Sequence, residues 1–278
     1  MKLDNPLSIG DCRLGVGEPL GVIAGPCVME SLELTLQIAR QVHAICRDLE
    51  LPWIFKASFD KANRTRGDSY RGMGLEQGVA WLRAVRDELG VPVTTDIHES
   101  WQAQPVAEVC ELLQVPAFLA RQTDLLIAAA QTGRAVNVKK GQFMAPWDMQ
   151  HVATKLADHG CSRVLLTERG TFFGYGRLVN DMRSIPEMKR MGAVVVFDAT
   201  HSVQEPSARE GVTGGQRQDV PVVAAAGVAA GADVVFLETH PDPDRSPSDG
   251  PNMVPLAQLR GLLSKLKRVF DAAREIHE

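Results

Sequence analysis

The chain has 278 residues, 45% of them hydrophobic and 23% charged, with a formal net charge of -4. This is the usage of a globular protein with a sizeable core, and it excludes a disordered, collagen-like or coiled-coil architecture. The negative balance and the 5% aromatic content also exclude a basic surface interleaved with stacking rings, as nucleic acid or anionic lipid would require.

Cysteines occur at 12, 27, 46, 110 and 161, widely spaced and without a C-x-x-C, the pattern of free thiols in a reducing compartment. The opening MKLDNPLSIGDCRLG has neither the apolar run nor the cleavage site of a signal peptide. No uninterrupted apolar segment approaches the ~20 residues that span a bilayer. A soluble, cytoplasmic protein without nucleic-acid or membrane partners is expected.

In chain order, residues 7–17 read as a small hairpin placed to cap the bottom of a barrel. Short β-rich runs follow at 20–24, 53–56, 91–95, 117–120, 135–138, 163–166, 194–197 and 234–237. Between them lie helical patterns. Leu34, Ile38, Val42, Ile45 and Leu49 recur at three- and four-residue steps, as do Val79, Leu82, Val85 and Leu89. Gly133 reads as a helix stop, and residues 254–276 as the last helix. Strand and helix alternating eight times predict an α/β fold, a single (β/α)8 TIM barrel domain over 1–278. A doubly wound open sheet is the alternative, but no G-x-G-x-x-G follows any strand.

A barrel places its chemistry at the C-terminal strand ends. Lys56, Lys61, Arg64, Arg121, Lys139 and Arg169 all fall there, and one mouth holding them would suit a small molecule with more charge than one phosphate. Asp96, Asp198 and Glu238 would neutralise some of them. Cys27, His201, Glu238 and Asp249 come from the ends of strands one, seven and eight, which adjoin in a closed barrel. Thiolate, imidazole and carboxylates together suit a divalent transition metal such as Fe, Mn, Zn or Co, although a lone cysteine is more commonly an inert core residue. Two long polar loops, 58–73 and 200–218, read as lids.

The motifs IAGPC (23–27), FKASFDKANR (55–64), TTDIHE (94–99), PAFLARQTD (116–124), NVKKGQ (137–142), LTERGTFFG (166–174), FDATHSVQ (197–204), ETHPDPD (238–244) and SDGPNM (248–253) resemble the 3-deoxy-D-manno-octulosonate 8-phosphate synthase family. The resemblance implies a (β/α)8 homotetramer that joins phosphoenolpyruvate to D-arabinose 5-phosphate for lipopolysaccharide synthesis. It assigns phosphoenolpyruvate to Lys61, Arg121, Lys139 and Arg169, with Lys56 nearby, and the pentose phosphate to Asn63, Arg64 and Thr65. Gln114, Asp96 and His201 line the same cavity, with Lys61, Asp96 and His201 as the catalytic candidates. The family has a metal-free type with Asn in place of the cysteine; Cys27 and the three other ligands place this chain with the metal-binding type. Arg66 departs from the small residue expected there. Two rival readings are the related synthase that uses erythrose 4-phosphate, whose loop reads Lys-Pro-Arg-Thr, and a non-catalytic phosphosugar-binding barrel.

Overall fold

Eight parallel strands close on themselves in sequence order: one (Gly21–Gly25), two (Trp53–Lys56), three (Val93–Asp96), four (Leu112–Val115), five (Ala135–Lys139), six (Val164–Glu168), seven (Val194–Asp198) and eight (Val234–His240). Strand eight pairs with both seven and one, which completes the barrel. The computed structural model describes residues 2–64, 66–173, 176–209 and 212–277. Thr65 lies outside the described residues.

Every residue of these strands is buried, as expected where side chains fill the barrel on one face and meet helices on the other. The helix Leu32–Asp48 shows how the outer layer is specified. Ser31 accepts a hydrogen bond from the Leu34 amide at 3.1 Å, a cap worth about 1 kcal/mol. Ile38, Val42 and Ile45 then fall on one buried face. Each such side chain contributes roughly 1.5–3 kcal/mol by leaving water. Gly133, at φ +70°, follows the helix Thr123–Gln131 as expected of a stop.

The N-terminal hairpin pairs Leu7–Ile9 with Cys12–Leu14. Leu7, Ile9 and Leu14 pack with Ile23, Ile54, Leu112, Leu165, Val194 and Val234, the inward residues near the N-terminal strand ends. The hairpin therefore closes the bottom of the barrel, and the polar mouth lies at the other end.

Strand four differs from expectation. The run 117–120 is not a strand; Ala117–Leu119 is a 3-10 turn, and the strand is Leu112–Val115. Pro116, with φ -63°, has no amide to donate and ends the ladder. Gln114 disguises the true strand because it puts an amide in the middle of an apolar run. The 200–218 segment is also more ordered than a bare loop: it holds a short helix, Ala199–Ser202, and a hairpin of Gln204–Arg209 with Val212–Gly215. Among the described residues, no helix is long and apolar enough to cross a membrane.

Candidate functional site

The C-terminal strand ends surround a cavity of about 930 Å³. Its lining includes Lys56, Lys61, Asn63, Arg64, Asp96, His98, Lys139, Gln142, Arg169, His201, Gln204 and Asp249. Arg121 and Gln114 are not among these residues. Arg121 follows the 3-10 turn that replaces the expected strand and is exposed. Arg66 points elsewhere and pairs with Asp68 at 2.8 Å on the surface, so its charge is offset outside the cavity.

Strand register puts the polar residues level with one another. Asp96 stands opposite Gln114, and Gln114 opposite Asn137. A hydrogen-bond chain follows through the barrel interior. Thr167 donates to Asn137 Oδ1 at 2.7 Å, Asn137 to Gln114 Oε1 at 3.0 Å, and Gln114 to Asp96 Oδ1 at 2.7 Å. Ser58 donates to Asp96 Oδ2 at 2.8 Å and accepts from Lys56 Nζ at 2.9 Å. Gln114 thus stands behind Asp96 and orients it. Burial opposes ionisation of Asp96, but the Lys56, Lys139 and Lys61 ammoniums outweigh it and hold the carboxyl well below the usual range. At neutral pH Asp96 is a fixed anion, suited to accept a hydrogen bond and unsuited to donate a proton.

The cations are held in different ways. Lys56 Nζ lies 3.2 Å from Glu238 Oε1 and 3.4 Å from Asp96 Oδ2, and Lys61 Nζ lies 3.8 Å from Glu238 Oε1. Lys139 Nζ donates to Asp198 Oδ2 at 2.6 Å and sits 3.9 Å from the centroid of the buried Phe236 ring, a cation–π contact. Arg169 is buried; one nitrogen donates to Gln204 Oε1 at 2.8 Å and to the His201 carbonyl at 3.3 Å. Its Nη1 is buried without a hydrogen-bond partner among the described residues. Arg64 donates to the carbonyls of Tyr70 and Pro247. Neither Arg64 nor Arg169 has a carboxylate within salt-bridge distance among the described residues, so both cations remain available for an anion.

Beside this group stand the candidate metal ligands. Donor atoms of Cys27, Glu238 and Asp249 lie within 4.8 Å of one another. Cys27 Sγ is 3.0 Å from Asp249 Oδ2 and 3.0 Å from Ser248 Oγ. His201 adjoins the group through Nε2, 3.7 Å from Glu238 Oε1. Its Nδ1 donates to the ionised Asp198 at 2.7 Å, which leaves Nε2 as the ring nitrogen towards the cluster. Burial first, then the Asp249 and Glu238 carboxylates, push the Cys27 thiol well above its ordinary value. Glu238 Oε2 is buried with no hydrogen-bond partner among the described residues. A thiol sulfur, an imidazole nitrogen and carboxylate oxygens, one of them orphaned, fit a divalent transition metal.

Several contributors lie outside the residues singled out from sequence: Ser58, Asn137, Thr167, Gln204, Phe236 and Ser248. Ser58, Asn137, Thr167, Gln204 and Ser248 fall inside the motifs quoted above, which give them no role, and Phe236 lies outside them. Asn137 and Thr167 carry the further signal of a polar residue within an apolar strand.

Fold and mouth define the class: a (β/α)8 enzyme whose site gathers fixed cations for an anionic small molecule, with candidate metal ligands alongside. The particular group follows from likeness to known proteins. Residues 3–275 match the model of the DAHP synthetase I family. A 2-dehydro-3-deoxyphosphooctonate aldolase of Cyanothece sp. is 56% identical over 262 residues, 94% of this chain and 96% of that protein. Aldolases of the same name from Granulibacter bethesdensis and Geobacter metallireducens are 52% and 54% identical, each covering 95% of this chain and 94% and 97% of their own. The chain belongs to the DAHP synthetase I family, among its 2-dehydro-3-deoxyphosphooctonate aldolases.

Proposed function

We infer that the chain condenses phosphoenolpyruvate, D-arabinose 5-phosphate and water into 3-deoxy-D-manno-octulosonate 8-phosphate, releasing inorganic phosphate. The observation that carries this reading is the convergence of Lys56, Lys61, Arg64, Lys139 and Arg169 on one cavity. Two phosphates and one carboxylate need that many donors. By the same family resemblance, the enzyme works as a cytoplasmic homotetramer in lipopolysaccharide precursor synthesis.

The main physical task is to hold two polyanions side by side. Fixed cations in a water-poor cavity offset their repulsion and need no reorganisation during the reaction. Lys139 and Arg169 take the phosphate of phosphoenolpyruvate, with Lys56 and Lys61 towards its carboxylate. Asn63, Arg64 and Thr65 take the pentose phosphate, which directs the aldehyde inward. The enol carbon of phosphoenolpyruvate attacks that aldehyde carbon, water adds at C2, and the phosphate leaves with its bridging oxygen. Asp96, kept ionised, accepts a hydrogen bond from a sugar hydroxyl. Burial opposes the Lys61 ammonium, but the surrounding anions, Glu238, Asp249 and Asp96 among them, raise its pKa and keep it charged. Cys27, His201, Glu238 and Asp249 would hold a divalent metal, which supplies Lewis-acid polarisation of an aldehyde or water oxygen. Asp198 fixes the His201 tautomer that this requires.

Phosphate release from phosphoenolpyruvate, measured with and without D-arabinose 5-phosphate, tests the reading. Turnover strictly dependent on the sugar, with an eight-carbon product by mass, is expected. Binding of both compounds without release would make the chain a phosphosugar-binding barrel instead.

A further inference from the structure

Behind the cavity wall lies a buried ion pair with no place in the chemistry above. Lys140 is fully buried, and its Nζ lies 3.6 Å from Glu168 Oε1. Lys139, the last residue of strand five, lines the cavity, and Lys140 just beyond it does not. We propose that Lys140 and Glu168 form a positioning pair that sets the spacing of Lys139 and Arg169, the residues beside them in sequence.

Lys140 Nζ donates to the Met144 carbonyl at 3.3 Å, within the loop after strand five. It also donates to Thr171 Oγ1 at 3.0 Å, in the loop after strand six. Glu168 Oε1 accepts from the Gly170 amide at 2.6 Å, closing a turn in which Gly170 takes φ +95°. Arg169 is the residue between them, so this turn fixes where its side chain leaves the backbone. A further tie runs from the Phe172 amide to the Gln142 carbonyl at 2.9 Å. The two loops are thus fastened to each other on the outside, while their inward residues present Lys139 and Arg169 to the cavity.

A buried ion pair is a costly way to fasten two loops, since well-packed apolar residues do so at least as well. What the pair adds is direction: a lysine with two fixed acceptors and a carboxylate with a fixed amide donor admit one relative placement. A displacement near ~1 Å at a reacting group already costs about a hundredfold in rate.

The inference rests on the reading of Lys139 and Arg169 as the phosphoenolpyruvate clamp, and Arg169→Ala serves as its control. The full chain is compared with Arg169→Ala, the double variant Lys140→Met/Glu168→Gln and Thr171→Val, by thermal unfolding and by KM for each substrate. The double variant removes both charges together and keeps an acceptor for the Gly170 amide. Lys140→Met alone would strand a buried carboxylate and is avoided. The expected result is a Tm near that of the parent, a KM for phosphoenolpyruvate raised about tenfold and a KM for the pentose phosphate within about twofold. Thr171→Val, at a partly exposed position, is expected to shift the same KM in the same direction by less. An unchanged KM for phosphoenolpyruvate in both variants, or equal rises for both substrates, overturns the pair's role while Arg169→Ala still reports the clamp. If the double variant does not fold, Thr171→Val decides alone. If Arg169→Ala leaves phosphoenolpyruvate unaffected, the clamp reading fails and this inference with it.

Discussion

Cys27 sits where burial works against ionisation, yet its nearest polar neighbours are Asp249 and Ser248. A thiol kept neutral beside a carboxylate does little for an apo protein, whereas a divalent cation would offset the cost of a thiolate in the same place. Removing metal from the parent with a chelator is expected to abolish most activity, and a divalent metal to restore it. Cys27→Ser should hold metal roughly tenfold or more weakly, because even the partners of a ligand are worth about 10–100-fold. Metal content after gel filtration checks this, and full activity in a verified metal-free preparation would contradict it. Asp96 yields a pH prediction. Its carboxyl lies below the ordinary value near ~3.9, so its stabilising contribution is complete above that pH and is lost as pH falls through the lower folded value. Asp96→Asn should therefore cost about 2 kcal/mol from pH 7 to pH 5. The gap to the parent should narrow only below ~4. Urea unfolding at stepped pH measures this.

At the scale of elements, the hairpin and the mouth are separate works. Leu14 is fully buried against the barrel's lower end and touches nothing in the cavity. Leu14→Ala should cost about 2–5 kcal/mol of stability. Its kcat and both KM values should stay near the parent's below the lowered Tm. Strand four shows where periodicity misleads. The stretch after Pro116 is as apolar as the strand before it, and only the proline's missing amide and the buried Gln114 separate them. That one shift also accounts for Arg121, which a strand at 117–120 would have carried to the mouth and which instead lies exposed beyond a turn. The hairpin was legible because Leu7, Ile9, Cys12 and Leu14 alternate with Ser8 and Arg13, the pattern of two short strands with one buried face.

For the whole molecule, the eightfold strand and helix rhythm was legible, since parallel strands buried on both faces must be apolar and must be followed by covering helices. The site followed from one rule about strand ends, which brought Lys56, Lys139, Arg169 and His201 to one cavity. The interior chain from Thr167 through Asn137 and Gln114 to Asp96 was not legible. A polar residue in an apolar strand signals burial of a partner but not which partner; register alone supplies that. The two long loops are seen as lid candidates in sequence, and the hairpin within 200–218 emerges only in three dimensions.

The central claim is the pairing of phosphoenolpyruvate with a five-carbon sugar phosphate, and acceptor choice tests it most directly. Asn63, Arg64, Lys61 and Asp96 all line the cavity, Asn63 exposed and Asp96 buried. A four-carbon sugar fixed by its phosphate would leave its aldehyde about one carbon short of the enol carbon, where ~1 Å already costs about a hundredfold. Polar groups meant for the missing hydroxyl would also go unpaired. Phosphate release is to be measured with D-arabinose 5-phosphate and with erythrose 4-phosphate in turn, and each product weighed by mass spectrometry. The account predicts kcat/KM at least about a hundredfold higher for the five-carbon sugar, with an eight-carbon product; a seven-carbon product formed as fast would contradict it.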